Sequence, residues 1–137
     1  MTDDAGPVTE LRLALTVPDL DAALAFWRDA LGLPEVAVFE QNNGRVVLLG
    51  AGTATVELLD ERQAAYVDDL EVGRRVAPPV RVALRVADSA GTADRLVEAG
   101  AEVVAGPVVT PWNSLNARLD GAPGGVQLTL FTPVARV

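Results

Sequence analysis

Short apolar runs alternate with polar residues along most of the chain, and their spacing switches between that of a strand and that of a helix. Every second residue is apolar from Leu11 to Val17, as in a strand that buries one face. Apolar residues then recur three and four positions apart from Leu20 to Leu31, and Gly32 ends that stretch. The pattern therefore predicts a strand followed by a helix that packs on it.

The same pattern begins again in the second half of the chain. Residues 14–19 (ALTVPD) are echoed by residues 83–88 (ALRVAD), and a second helical stretch over 89–99 ends at Gly100. Asp19 and Asp88 stand where helix N-caps are expected. Each helix is followed by three predicted strands, which are 35–41, 45–49 and 54–59 in the first half and 102–105, 115–119 and 126–131 in the second.

The repeat predicts an α+β fold in which residues 1–137 form one domain of two βαβββ modules. The modules cover 9–59 and 80–133, and the charged stretch 60–79, which contains Tyr66, Asp68, Asp69 and Glu71, is interpreted as a solvated linker. A tight hairpin turn is expected at Asn43-Gly44, and a long loop through Pro111 and Trp112. Whether the modules pair within one chain or across two depends on the path of that linker.

Strand alternation assigns side chains to the sheet face opposite the helices, which becomes a half-polar cup if the sheets curve toward each other. The candidate site residues on that face are Arg12, Phe39, Glu57, Arg81, Arg85 and Thr129. Phe131 shares their parity, whereas Phe26 and Trp27, on the first helix, are expected in the core. Trp112 is a further candidate, which either stacks on a planar ligand or caps the core or a dimer interface.

Composition removes several classes of function. The net charge of −8 argues against nucleic acid, and no apolar run approaches the ~20 residues of a membrane span. The first seven residues include Asp3 and Asp4 and do not look like a secretory signal, so a cytoplasmic protein is expected. Cys, His and Lys are absent, which excludes thiolate, imidazole and Schiff-base chemistry.

Four short motifs carry a resemblance to a known family. They are residues 17–21 (VPDLD), 25–32 (AFWRDALG), 110–112 (TPW) and 122–125 (APGG). Together they resemble the vicinal oxygen chelate superfamily of glyoxalases, bleomycin-resistance proteins and extradiol dioxygenases, over most of residues 9–133. The resemblance implies paired βαβββ modules around a small-ligand cup, often as a homodimer, and a Trp112 region that contacts the drug in bleomycin-resistance-like members.

The resemblance also implies which positions hold the metal ligands in metal-using members of the family. In this sequence those positions are occupied by Arg12, Glu57, Arg81 and Thr129. Only Glu57 could ligate, because a guanidinium is a permanent cation without a lone pair. The cup arginines either bind an anionic ligand or form a closed salt-bridge cluster with Glu57. No metal, no cofactor and no catalytic residue is therefore assigned.

The sequence thus predicts a metal-free small-molecule binding protein of the glyoxalase/bleomycin-resistance type, which sequesters a planar or anionic natural product. The alternative is a non-metal or metal-dependent enzyme of the same superfamily, of lyase, isomerase or dioxygenase type. In its metal-free form, cup arginines stabilise an oxyanion and Glu57 moves a proton. A third reading is an interaction domain whose cup is filled by its own side chains. The expected partners are a small molecule that is aromatic and anionic and a second copy of the chain.

Overall fold

Eight strands form one mixed sheet, in the order β2-β3-β4-β1-β5-β8-β7-β6. The computed structural model describes residues 6–135, and the N-terminal Asp3 and Asp4 lie outside them. The strands are β1 (Val8–Thr16), β2 (Glu35–Gln41), β3 (Gly44–Ala51), β4 (Ala54–Leu59), β5 (Val80–Val86), β6 (Glu102–Val109), β7 (Ser114–Asp120) and β8 (Gln127–Pro133). The helices are α1 (Leu20–Leu24, continued as a π-helix over Ala25–Ala30), α2 (Glu61–Glu71) and α3 (Ser89–Glu98).

The two βαβββ modules meet at the centre of this sheet. Strand β1 runs parallel to β4 of its own module and antiparallel to β5, with Leu13 opposite Val82. Strand β5 in turn runs parallel to β8. The predicted α+β fold of paired modules is confirmed, and the modules pair within one chain.

Helices α1 and α3 cover one face of the sheet, as the apolar alternation predicts. Asp19 and Asp88 are the N-caps, and their carboxylates accept the backbone N–H groups of Ala22 and Gly91, each at 3.0 Å. Each helix contributes to a core cluster on the sheet. The cluster at α1 consists of Leu20, Leu24, Val47, Leu49, Val56 and Leu58, and the cluster at α3 consists of Val86, Ala93, Ala117, Leu119 and Leu130. No helix among residues 6–135 combines the length and apolarity that crossing a bilayer requires.

The prediction that Phe26 is a core residue is wrong. Trp27 packs against the α1 cluster, but Phe26 is 62% exposed and only meets the edge of the Trp27 ring, at 5.5 Å between centroids. The helix continues here as a π-helix, with Leu31 N–H bonded to Phe26 C=O at 2.9 Å. This wider turn departs from the 3.6-residue spacing on which the prediction rested, and only one of the two rings reaches the sheet.

Both predicted connections differ from the observed ones. The first hairpin turns at Asn42 and Asn43, both with positive φ, and Gly44 is already the first residue of β3. Gly44 is required there because an added Cβ would lie 2.3 Å from the backbone nitrogen of Gln63. In the second module β6 extends to Val109, so the expected long loop shrinks to residues 110–113.

The stretch interpreted as a solvated linker contains α2, which packs on the sheet face opposite α1 and α3. Asp60 caps this helix through the backbone N–H of Gln63 at 2.8 Å, and Val67 packs with Ala14 of β1. Asp68 is 0% exposed and Glu71 is 7% exposed. The interpretation of these carboxylates as solvated is therefore wrong, because buried partners from a distant strand neutralise them.

Candidate functional site

A cavity of about 260 Å³ lies on the face of the sheet that α1 and α3 leave free. Strands of both modules, the β6–β7 loop and α2 contribute to its wall. All seven residues that the sequence predicted for the site line it, namely Arg12, Phe39, Glu57, Arg81, Arg85, Trp112 and Thr129. Phe131, whose parity placed it on the same face, lines it as well.

Arg81 is the most buried cation facing this cavity. It is 7% exposed, and its Nη1 donates to the Thr129 hydroxyl at 2.8 Å. Among residues 6–135 it forms no ion pair. Burial lowers the pKa of Arg81, and the nearby charge of Glu57 offsets part of that lowering. Arg81 is thus a cation whose described partner is a neutral hydroxyl.

Arg12 is neutralised by a residue that the sequence reasoning did not name. Its Nε donates to the carboxylate of Glu10 at 2.6 Å, and its guanidinium lies 4.9 Å from the centre of the Phe131 ring. Arg85 lines the cavity as an exposed side chain. Both arginines therefore differ from Arg81: Arg12 has a carboxylate partner, and Arg85 is in contact with solvent.

The expected salt-bridge cluster around Glu57 does not form. Within the described part of the chain, Glu57 makes neither an ion pair nor a side-chain hydrogen bond with Arg12, Arg81 or Arg85. Glu57 is half-buried and lines the cavity. Ala14 stands between Glu57 and Arg81 in the sheet, so their backbones are two strands apart.

A buried ionic cluster that the sequence reasoning missed fixes α2 to the sheet. Arg118, which is 0% exposed, donates to Asp68 at 2.7 Å, to Glu71 at 2.8 Å and to Gln127 at 3.0 Å. Asn116 adds a bond to Glu71 at 2.8 Å. Burial alone would raise the pKa of Asp68, but bonds from the backbone N–H of Ala77, from Arg118 and from the backbone N–H of Val76 together lower it.

Strand alternation contained the signal for this cluster. Ala117 and Leu119 of β7 belong to the core under α3, so Asn116 and Arg118 must face the other way. The cluster and α2 fill part of the cup. The third interpretation of the sequence, an interaction domain, predicts that the protein's own side chains fill all of it. The remaining cavity keeps Gln63, Val67 and Glu71 of α2 as one wall.

Trp112 is held by a short, hydrogen-bonded turn. Thr110 N–H donates to Ser114 C=O at 2.8 Å, Asn113 N–H donates to Thr110 C=O at 3.0 Å, and Asn113 has a positive φ of 61°. The indole packs against the apolar cluster that includes Val67 and also lines the cavity. Trp112 thus caps part of the core and also lines the cavity.

The residues at the implied metal-ligand positions do not fit a divalent ion. Arg12 and Arg81 offer only N–H donors, and the Thr129 oxygen already accepts from Arg81. Glu57 is then the one anionic oxygen ligand of the four, whereas metal sites of this kind need several. Within residues 6–135 no three Asp or Glu side chains come together as a possible metal site.

Solved structures of widely different sequence share this fold. Hypothetical protein BH1468 from Bacillus halodurans C-125 superposes with a TM-score of 0.64 at 17% identity, over 95% of this chain and 96% of that one. Methylmalonyl-CoA epimerase from Mycobacterium tuberculosis superposes with a TM-score of 0.62 at 24% identity, over 94% of this chain and 89% of that one. A glyoxalase/bleomycin resistance protein/dioxygenase superfamily member from Vibrio splendidus 12B01 superposes with a TM-score of 0.62 at 14% identity, over 89% of this chain and 97% of that one. No curated protein matches the chain.

The family comparison reaches further than these structural likenesses, which show the fold alone. The family model described as Glyoxalase/Bleomycin resistance protein/Dioxygenase superfamily matches residues 11–130. That match covers most of both βαβββ modules and the whole of the helix between them. The chain therefore belongs to the glyoxalase/bleomycin resistance protein/dioxygenase superfamily.

Proposed function

We propose that this chain is a metal-free small-molecule binding protein that holds a mostly apolar, planar ligand by an anionic group. The observation that carries the proposal is Arg81, a buried cation facing the cavity whose described partner is one neutral hydroxyl. A buried charge without an ion-pair partner is costly, and an anionic ligand would reduce that cost. A planar guanidinium suits a carboxylate, an enolate or a phenolate.

The size and lining of the cavity limit the rest of the ligand. An apolar cavity of roughly 150 Å³ takes up benzene, so about 260 Å³ suits one substituted ring. Phe39, Trp112 and Phe131 supply aromatic wall against which such a ring can pack. A cytoplasmic location and a homodimer stay predictions of the sequence.

Trp112 offers a direct readout of binding. The two tryptophans lie on opposite faces of the sheet, because Trp27 packs with the α1 cluster and Trp112 with the cluster beside the cavity. In a Trp27→Phe background, Trp112 fluorescence can therefore be titrated with benzoate, phenylacetate and 3-phenylpropionate, and with the three matching amides. We expect at least one acid to bind at least tenfold more tightly than its amide.

A charge-removing substitution tests the role of Arg81. Arg81→Met should weaken binding of that acid at least tenfold and leave the affinity for its amide unchanged. Arg74→Met is the matched control, because Arg74 is exposed and does not line the cavity. Equal affinities for acid and amide, or an unchanged acid affinity in Arg81→Met, would refute the proposal.

The second candidate is an enzyme in which Arg81 stabilises an oxyanion and Glu57 moves a proton. It is favoured by one observation, which is that Glu57 lines the same cavity without an ion pair to any described residue. Several structural neighbours are methylmalonyl-CoA epimerases, one of them from Streptomyces coelicolor. Exchange of the α-protons of phenylacetate in D₂O, followed by NMR, separates the candidates. Exchange that is accelerated by the chain and lost in Glu57→Gln would favour the enzyme.

A further inference from the structure

Two opposite charges face the cavity from either side of Ala14. In the sheet Ala14 of β1 lies opposite Glu57 of β4 on one side and Arg81 of β5 on the other. Residues side by side on neighbouring strands point to the same face, and strands lie about 4.8 Å apart, so the Cα atoms of Glu57 and Arg81 are roughly 10 Å apart. Ala14, which is 2% exposed, forms a low floor between them.

Two other charged residues of the cavity wall, Arg12 and Glu71, have partners of their own. Arg12 pairs with Glu10 at 2.6 Å, and Arg118 pairs with Glu71 at 2.8 Å. Among residues 6–135 neither Glu57 nor Arg81 has an ion-pair partner. The exposed Arg85 is the further cation at the cavity, and solvent screens it. The cavity therefore presents one carboxylate and one buried guanidinium that form no ion pair with each other.

We infer that the ligand is a zwitterion, with its anionic group at Arg81 and an ammonium group at Glu57. The inference rests on the proposed function and names its ligand class. A simple anion at Arg81 would also lie in the field of the Glu57 carboxylate, which repels it. An ammonium group on the same ligand converts that repulsion into attraction and supplies N–H donors to a half-buried acceptor. The apolar part of the molecule then packs on Trp112 and Phe131.

Matched ligands that differ by one ammonium group test the inference. The first pair is L-phenylalanine and 3-phenylpropionate, with adjacent charges in the amino acid, and the second is 3-(aminomethyl)benzoate and 3-methylbenzoate, with charges across the ring. At pH 7, in at least one pair, the zwitterion should bind at least tenfold more tightly than its ammonium-free partner. Glu57→Gln should abolish that difference and leave the partner's affinity unchanged or higher. Glu98→Gln on α3, an exposed carboxylate away from the cavity, should preserve the difference.

The outcomes separate this inference from the proposed function. If the ammonium-free acids bind and depend on Arg81 but the zwitterions bind no more tightly, the zwitterion inference is overturned and the anion-binding proposal stands. If neither member of either pair binds, the zwitterion inference is overturned, and the anion-binding proposal falls with it when none of benzoate, phenylacetate and 3-phenylpropionate binds. If a zwitterion binds more tightly but keeps its advantage in Glu57→Gln, the ammonium group lies elsewhere and the assignment to Glu57 fails. The comparison between ligands uses the unchanged protein, so it does not depend on how Glu57→Gln folds.

Discussion

Replacing Arg118 by Met should destabilise the fold more than the loss of any other arginine in the described residues. Arg118 is 0% exposed and bridges Asp68, Glu71 and Gln127. In the variant, Asp68 keeps Arg75 at 2.8 Å, but Glu71 keeps only the Asn116 amide among its described partners. A buried carboxylate that loses its cation costs about 3–5 kcal/mol.

That cost is a large part of the roughly 5–15 kcal/mol by which domains of this kind are stable. With an unfolding entropy of about 2.1 cal/mol/K per residue, a chain of 137 residues should lose roughly 10–17 °C of melting temperature. Urea unfolding followed by circular dichroism measures the free energy, and a thermal scan measures the midpoint. Arg95→Met is the matched control, because Arg95 is exposed on α3 and bonds only to Thr92 among the described residues; it should cost less than about 0.5 kcal/mol.

A second substitution separates the charge effect from lost packing. Adding Glu71→Gln to Arg118→Met removes the stranded carboxylate and should restore at least half of the lost stability, because the remaining amide is neutral. A loss below about 1 kcal/mol in Arg118→Met would refute this account of the cluster. A double variant that is no more stable than the single one would do the same.

Three other predictions concern the same face of the molecule. Because the pKa of Asp68 is lowered in the folded state, its contribution to stability is complete above its ordinary pKa and is lost as pH falls from roughly 4 downwards. Asp68→Asn should therefore flatten the pH dependence of the free energy of urea unfolding in that range. An unchanged slope would contradict the prediction. Gly44→Ala should cost about 1–3 kcal/mol, because its Cβ would meet the backbone at the start of α2, whereas Gly106→Ala, with open space at that position, should be near neutral in the same assay. Arg81→Met should leave the free energy of unfolding within about 1 kcal/mol of the unchanged protein or raise it, since it removes a buried cation that has no described carboxylate partner; a loss above about 2 kcal/mol would show that Arg81 is structural.

The parts of the fold that the sequence predicted correctly depend on local regularities. Alternation along a strand places Glu57, Arg81 and Thr129 on one face whatever the rest of the chain does, because successive side chains of a strand point to opposite sides. The N-caps at Asp19 and Asp88 are equally local, since a carboxylate reaches the first free backbone N–H groups of its own helix. These features need no knowledge of distant contacts.

The features that the sequence did not predict depend on residues far apart in the chain. Charged side chains are rarely buried without a partner, so Asp68 and Glu71 are expected in solvent when no partner is close in the sequence. Their partner Arg118 lies 50 positions from Asp68 and 47 positions from Glu71. The turn at Asn42 and Asn43 was misplaced by one residue for a related reason. Gly44 is needed for the contact with α2 and not for the turn itself.

The two buried arginines of the cup explain how stability and binding can be separated in this molecule. Arg118 has two carboxylates within 2.8 Å, and its bonds hold α2 against one half of the sheet. Arg81 has a hydroxyl, and the carboxylate nearest to it in the sheet is kept two strands away by Ala14. A charge that is satisfied within the protein resists removal, whereas one that is not can be removed without cost to the fold. Substitutions at Arg81 and Glu57 should therefore change ligand affinity while the fold, which depends on Arg118, stays intact.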